Sequence, residues 1–344
     1  MSLIKALHVQ ADTCADLGSP FNGQILHVIA NNITPGTPLT DRLLSWPGDI
    51  SARGHSVPLR LAGALHALVL DGADADLASV YPPHPAPNDT DLWRAIDNAM
   101  QTHAARLEHW LDSAPQTNEV QRSAVLIAAG QTLAARYTLP IALSELGASG
   151  GLNLMWDRFA LRIGDTTYGP QNPAFTLTPD WQSDTLPPHA SPKVVDRRGV
   201  DLNPLNPRDP KDALRLNAYL WPDQTDRLMR SRAAIAVETG VVDKGDVADW
   251  LEPRLATPMP GRLHMIYHTI AWQYFPPEVS TRARQLIETA GAKATDAAPI
   301  AWVSMEDDGT TPGAGLTLRL WPGDITINLG RADFHGRWLD WRGA

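Results

Sequence analysis

Apolar residues recur at three- and four-residue spacing through RLAGALHALVL, 60–70, and DLWRAIDNAMQTHAARLEHWL, 91–111. That period predicts helices, the first of them buried. The proline-rich YPPHPAPND between them, 81–89, predicts a loop. Residues 1–115 therefore read as an N-terminal helical subdomain. His66, His103 and His109 within it have no metal partner at helical spacing and read as core or surface histidines.

From 116 the pattern changes. TNEVQRSAVLIAAGQTLAARY carries a capping candidate at Thr117 or Asn118, an acid in its first turn and a long apolar stripe, so it predicts a helix. The strand PIALSEL comes next, and then a Gly-rich turn opening a second helix around LNLMWDRF. Alternation in FALRIGDTTYG and the prolines of SDTLPPHASP mark 160–193 as an inserted hairpin and covering loop, with its proline-rich part loosely anchored. Beyond it KVVDRRGVDLNP predicts a strand ending at Asp201. Helices at 210–220 and 224–238, the strand VVDKGD, a helix at 247–255, the strand RLHMIYHTI, a helix at 278–290 and the strand PIAWVSME come after it. LTLRLWPGDITINLG predicts a terminal antiparallel hairpin around Pro322-Gly323-Asp324. Alternating strands and helices make 116–344 an α/β domain with a mostly parallel, Rossmann-like sheet and helices on both faces.

Composition narrows the partners. Of 344 residues, 43% are hydrophobic and 19% charged, with a net charge of −9. An acidic chain makes nucleic acid an unexpected partner, because phosphate binding concentrates Lys and Arg. The single Cys14 forms neither an internal disulfide nor a Cys-based zinc site. No signal peptide or membrane span is read, and the expected compartment is cytoplasmic.

The chemistry centres on SELGASGGLN, 144–153. In an open parallel sheet ligands lie beyond the carboxyl ends of the strands, where a Gly-rich turn lets backbone approach them. Glu145 sits at such an end, and Gly147 and Gly151 lack the Cβ atoms that would obstruct approach. Asp201 ends the next strand, where a carboxylate accepts from both ribose hydroxyls. Asp246 ends the one after. Three strand-end acids on one rim suit a cationic, hydroxyl-bearing ligand better than a pyrophosphate, and S-adenosylmethionine is such a ligand. The bland alternative is that these acids cap the helices after them. Arg122, one turn beyond the cap, is placed to pair with a strand-end acid or a ligand carboxylate.

Gly147-Ala148-Ser149-Gly150-Gly151 also spells G-x-S-x-G, the elbow of a serine nucleophile, with Asp307 or Asp308 and then His335 supplying the required order. The region before 139 reads as helices, whereas that fold needs early strands to carry its oxyanion donors, so the match is weighed as accidental. His335, Trp338 and Glu306 are candidates for the substrate side of the rim, with a tryptophan-rich core as the alternative.

QTNEVQRSAVL, ELGASGGLNLMWDRF, RRGVDLNPLNPRDP, LWPDQTDR, GDVADWL, MIYHTI, WVSMED and FHGRWLDW, in that order, resemble the markers of the uncharacterised bacterial domain-of-unknown-function family 2332. The resemblance covers about Gln116 to Trp341. It implies a fold similar to class I S-adenosylmethionine-dependent methyltransferases. It also implies Glu145, Gly147, Ser149 and Gly151 on the cofactor turn, Asp201 on the ribose, Asp246 near the adenine and His268 at the next strand end. Ser149 stands where that pattern has its middle glycine. The expected function is methyl transfer to a small molecule or protein side chain, with no catalytic residue assigned and no metal. A non-catalytic module binding a nucleotide-like ligand or a partner is the alternative from another class.

Overall fold

Helices run over Leu3–Asp16, Pro20–Asn32, Pro38–Leu44, Val57–Leu70, Ala75–Ser79, Asp89–Thr102 and Ala104–Leu111 in the computed structural model, which describes residues 1–237 and 240–343. Local chemistry sets their starts. Thr37, just ahead of Pro38, forms a reciprocal capping box with Thr40, and Asn88 accepts from the Asp91 amide with Asp89 and Asp91 in the first turn. The helix Val57–Leu70 is apolar nearly all round, and Leu61, Leu65 and Leu68 on it are fully buried.

The chain divides into two compact units. One is Met1–Thr117 with Arg208–Met229, and the other is Asn118–Pro207 with Arg230–Ala344. The helix Pro210–Ala218, which the sequence pattern places in the α/β alternation, belongs to the first unit. The reason is packing: Ala218 and Tyr219 are buried in the same core as Leu7, Ile25 and Leu65, and the ring of Tyr219 lies over Gly63. A Cβ at Gly63 would come within 2.5 Å of that ring, so only glycine leaves room for it.

The second unit is built on a large, mostly parallel sheet. Its strands are β1 (Ile141–Leu146), β2 (Ala160–Ile163), β3 (Thr166–Tyr168), β4 (Thr176–Leu177), β5 (Asp180–Trp181), β6 (Val194–Asp201), β7 (Val241–Lys244), β8 (Leu263–Thr269), β9 (Ile300–Glu306), β10 (Ala314–Trp321), β11 (Ile325–Ala332) and β12 (Trp338–Trp341). Nine of them form one sheet in the order β5-β12-β11-β10-β9-β8-β1-β6-β7. From β7 to β9 every pairing is parallel, whereas β9 to β12 is an antiparallel meander that contains the β10–β11 hairpin. β1 and β8, at the centre, are buried at every residue, as strands covered on both faces must be.

The insertion carries a second sheet, β3-β2-β4, with the β2–β3 turn at Gly164-Asp165. Its proline-rich part is anchored, contrary to the sequence expectation. The Pro187 carbonyl accepts from the Tyr168 hydroxyl at 2.9 Å, and the Ala190 amide donates to Gln131 on the helix Ser123–Tyr137 at 2.8 Å. His189 stacks on Tyr168. Lack of apolar periodicity did not report these contacts, because they are made by backbone groups and one ring. Among the described residues no helix is long and apolar enough to cross a membrane.

Candidate active site

β1 lies between β6 and β8, and the chain winds from β1 to β6 and β7 on one side before returning to β8 and β9 on the other. The strand order therefore reverses beside β1, where open α/β sheets form their ligand crevice. Glu145 occupies the end of β1, Asp201 the end of β6 and His268 the end of β8.

The turn after β1 is left-handed at three places, Gly147 (φ +71°), Ser149 (φ +53°) and Gly151 (φ +70°). Its glycines make room for the protein's own side chains. A Cβ at Gly147 would lie 2.6 Å from the Ala271 methyl, and one at Gly151 would lie 2.7 Å from a Val242 methyl. The turn's amides are engaged as well. Gly147 and Ala148 donate to the Val200 carbonyl, Gly151 to the Ala148 carbonyl, and Leu152 to the Asn118 side chain at 2.8 Å. The next segment, Leu152–Arg158, is 3₁₀-helical with a kink at Met155 rather than the α-helix that the sequence suggested. Its first turn is tied instead by side chains: Asn153 donates to the Glu119 carbonyl and accepts from the Ser123 hydroxyl. The local pattern contained no sign of this, since Asn118, Glu119 and Ser123 lie far back along the chain, just before and at the start of the helix Ser123–Tyr137.

Asp201 accepts from the Ser149 amide at 2.9 Å and from the Asn203 amide at 2.9 Å, one bond to each carboxylate oxygen. A carboxylate offers about four acceptor sites, so both oxygens retain capacity. Asp246 caps the helix Val247–Leu255, accepting from the amides of Ala248 and Asp249. It stays beside the same rim, because the Gly245 amide donates to the Asp201 carbonyl.

Glu145 is 2% exposed. Burial pushes its carboxyl well above the ordinary carboxylate range. The weak 3.5 Å hydrogen bond from the Tyr267 hydroxyl and the charge of Arg122 pull the other way, while Asp201 adds to the rise. Arg122 is held by two backbone oxygens, donating from Nε to Phe334 at 2.9 Å and from Nη1 to Thr269 at 3.0 Å. The loop of FHGRWLDW thus docks on the end of NEVQR, with Gly336 packed so closely that a Cβ would lie 2.8 Å from the Gln121 carbonyl.

His268 is enclosed. Its Nε2 accepts from the Trp302 indole at 3.0 Å, which leaves Nδ1 as the donor to Glu306 at 2.7 Å. The same Glu306 oxygen accepts from the amides of Ala271 and Trp272, at 2.9 and 3.1 Å. Burial works to raise the Glu306 carboxyl, but these hydrogen bonds outweigh it and hold it below its usual range. Glu306 therefore clamps the segment after β8, whose first residue, Ile270, takes φ +51°, an unusual conformation for a β-branched residue. Strand alternation could have flagged Tyr267 and Trp302 as inward-facing, but their partners depend on strand order.

The Ser149 hydroxyl is buried and has no hydrogen-bond partner among the described residues. His335 meanwhile lies beside Asp333, and Asp308 pairs with Arg331. Among the described residues no base stands within hydrogen-bond reach of the Ser149 hydroxyl. A fluorophosphonate probe is expected to leave the protein unlabelled, and Ser149→Ala to retain its stability. Covalent labelling at Ser149, lost in the variant, would instead establish an elbow nucleophile.

A family model for uncharacterised proteins conserved in bacteria, domain of unknown function 2332, matches residues 5–341. The chain belongs to this family. The match extends through the N-terminal helices as well as the α/β unit, so the family is defined by both units together. No curated protein and no solved structure matches the chain.

Proposed function

We propose that this family member binds S-adenosylmethionine at the crevice beside β1 and transfers its methyl group to a small molecule or a protein side chain. The observation that carries the reading is the run of acids at the ends of adjacent parallel strands at the switch point. Glu145 ends β1 and Asp201 ends β6, with Asp246 just after β7. Residual acceptor capacity on Asp201 fits ribose hydroxyls, Glu145 fits an amino group, and Asp246 stands on the adenine side. The bound cofactor would supply an electrophilic methyl group, and alignment of an acceptor with it requires no resident base.

A second reading has its own support. The amides of Gly147, Ala148, Ser149 and Gly151 and the spaces at Gly147 and Gly151 are already filled from within the protein, as they would be in a module that retains the fold without the cofactor. Calorimetric titration separates the two. The methyltransferase reading expects S-adenosylmethionine and S-adenosylhomocysteine both to bind, and Asp201→Ala to weaken binding by about 1.5–3 kcal/mol, the range for a hydrogen bond to a charged group. Proton uptake or release on binding, measured in buffers of different ionisation enthalpy, would report Glu145 changing state. Absence of heat with either ligand would leave the module.

A further inference from the structure

In the helical unit, the segment between Ser45 and Ser56 and the helices beside it enclose an open cavity of about 380 Å³ lined by Arg42, Trp46, Pro47, His55 and Arg60. We propose that this cavity is a binding site for a compact oxyanion, the carboxylate or phosphate of a small molecule, received by Arg60 and Arg42.

Arg60 is 8% exposed. Its Nε donates to the His55 carbonyl at 2.6 Å and its Nη1 to the Leu111 carbonyl at 2.7 Å. Both partners are neutral, and among the described residues no carboxylate lies within ion-pair distance of it. A buried cation without a counter-ion is costly unless a charge is brought to it. Arg42 stands nearby, with Nη1 on the Glu108 carbonyl and Nη2 on Asp112, both at 2.7 Å, so its own charge is answered. Arg60's is not.

The remaining side-chain polar atoms of the cavity are donors. Trp46 gives its indole N–H to His55 Nδ1 at 2.9 Å, which leaves the other imidazole nitrogen carrying the proton. Arg42 retains its Nε–H and Arg60 its Nη2 protons. Both guanidinium carbons lie over the Trp46 ring, 5.0 and 5.4 Å from its centroid, which holds them beside the cavity. Side-chain donors around a guanidinium that has no carboxylate in ion-pair contact select an acceptor-rich anion, and the planar fork of Arg matches carboxylate and phosphate geometry. The cavity's size is within the range of small-molecule sites.

A purely structural role is the competing account, because Glu108 and Leu111 belong to the last turn of the helix Ala104–Leu111 and cationic side chains commonly cap such carbonyls. It predicts no response to anions. The test monitors the Trp46 indole N–H resonance, identified by its loss in Trp46→Phe, during titration of the full chain with sodium phosphate and, separately, sodium acetate. Sodium chloride at matched ionic strength is the control. The expected result is a saturable shift with one of the two oxyanions but not with chloride, weakened by about ten-fold or more in Arg42→Gln and Arg60→Gln. Tighter response to phosphate assigns a phosphorylated ligand, and tighter response to acetate assigns a carboxylate. If Arg60→Gln does not fold, Arg42→Gln and His55→Ala, at more exposed positions, carry the comparison. A shift that grows linearly and equally with chloride, or saturable binding unchanged in the variants, overturns the proposal.

Discussion

As the pH falls from 6.5 toward about 3 the protein is expected to lose on the order of a few kcal/mol of stability through one buried imidazole, His264, at up to about 1.4 kcal/mol per pH unit. Burial drives its pKa down from 6.5 to about 3, the Arg254 charge adds to the fall, and Asp196 opposes it. His264 Nε2 is 2.7 Å from the Ser144 hydroxyl, which itself accepts from Arg254 Nε at 3.1 Å. The hydroxyl proton therefore points at Nε2, and protonating the ring would remove that acceptor and set a second buried cation near Arg254. Proton counts give the sign. Below pH 6.5 the unfolded chain protonates His264 while the folded chain does not, so acid favours unfolding until the folded pKa is passed. Other groups titrate in the same window, so the informative quantity is the difference between wild type and His264→Gln, which keeps an acceptor for Ser144. Urea unfolding across this range should show the wild type losing stability relative to the variant as pH falls. Parallel pH profiles would remove His264 from the account.

Glu306→Ala is expected to cost about 3–5 kcal/mol, the range for removing one partner from a buried charged network. One oxygen of Glu306 takes the His268 imidazole and the amides of Ala271 and Trp272, and without it all three donors lose their acceptor. The effect should be local as well as global. Ala271 packs its methyl into the space at Gly147, so freeing the segment after β8 also loosens the Gly-rich turn. Glu306→Gln, which keeps an acceptor oxygen, should cost less than half as much. Denaturant unfolding gives the stability, and hydrogen exchange at Ala271 and Trp272 gives the local effect. Unchanged midpoint and retained protection at both amides in Glu306→Ala would show that the clamp carries no load. The same loosening would reach the candidate cofactor crevice, so any ligand binding there should weaken in Glu306→Ala without any direct contact being removed.

Most of the regular elements, and the strand-end positions of Glu145 and Asp201, were legible in the sequence alone. Periods of 3.6 and 2 are local properties, and they reported the N-terminal helices, the strands ending at Glu145, Asp201 and Glu306, and the hairpin around Pro322-Gly323-Asp324. The tertiary structure decided where those elements go and what the polar groups do. The helix Pro210–Ala218 has the right period for an α/β unit, yet its partner was chosen by the space at Gly63, which no window around residue 210 contains. Asp246 looks like Asp201 in sequence, but one carboxylate caps the helix after it and the other joins the turn after β1, because only strand pairing brings Ser149 to Asp201. The glycines at 147 and 151 were legible as a tight turn. Their neighbours, Ala271 and Val242, lie far along the chain and enter that turn only because β8 and β7 are placed near it by the strand order. Burial and hydrogen-bond partnership are properties of the packed sheet, so the shifts at Glu145, His264 and Glu306 could be read only after strand order had placed their neighbours.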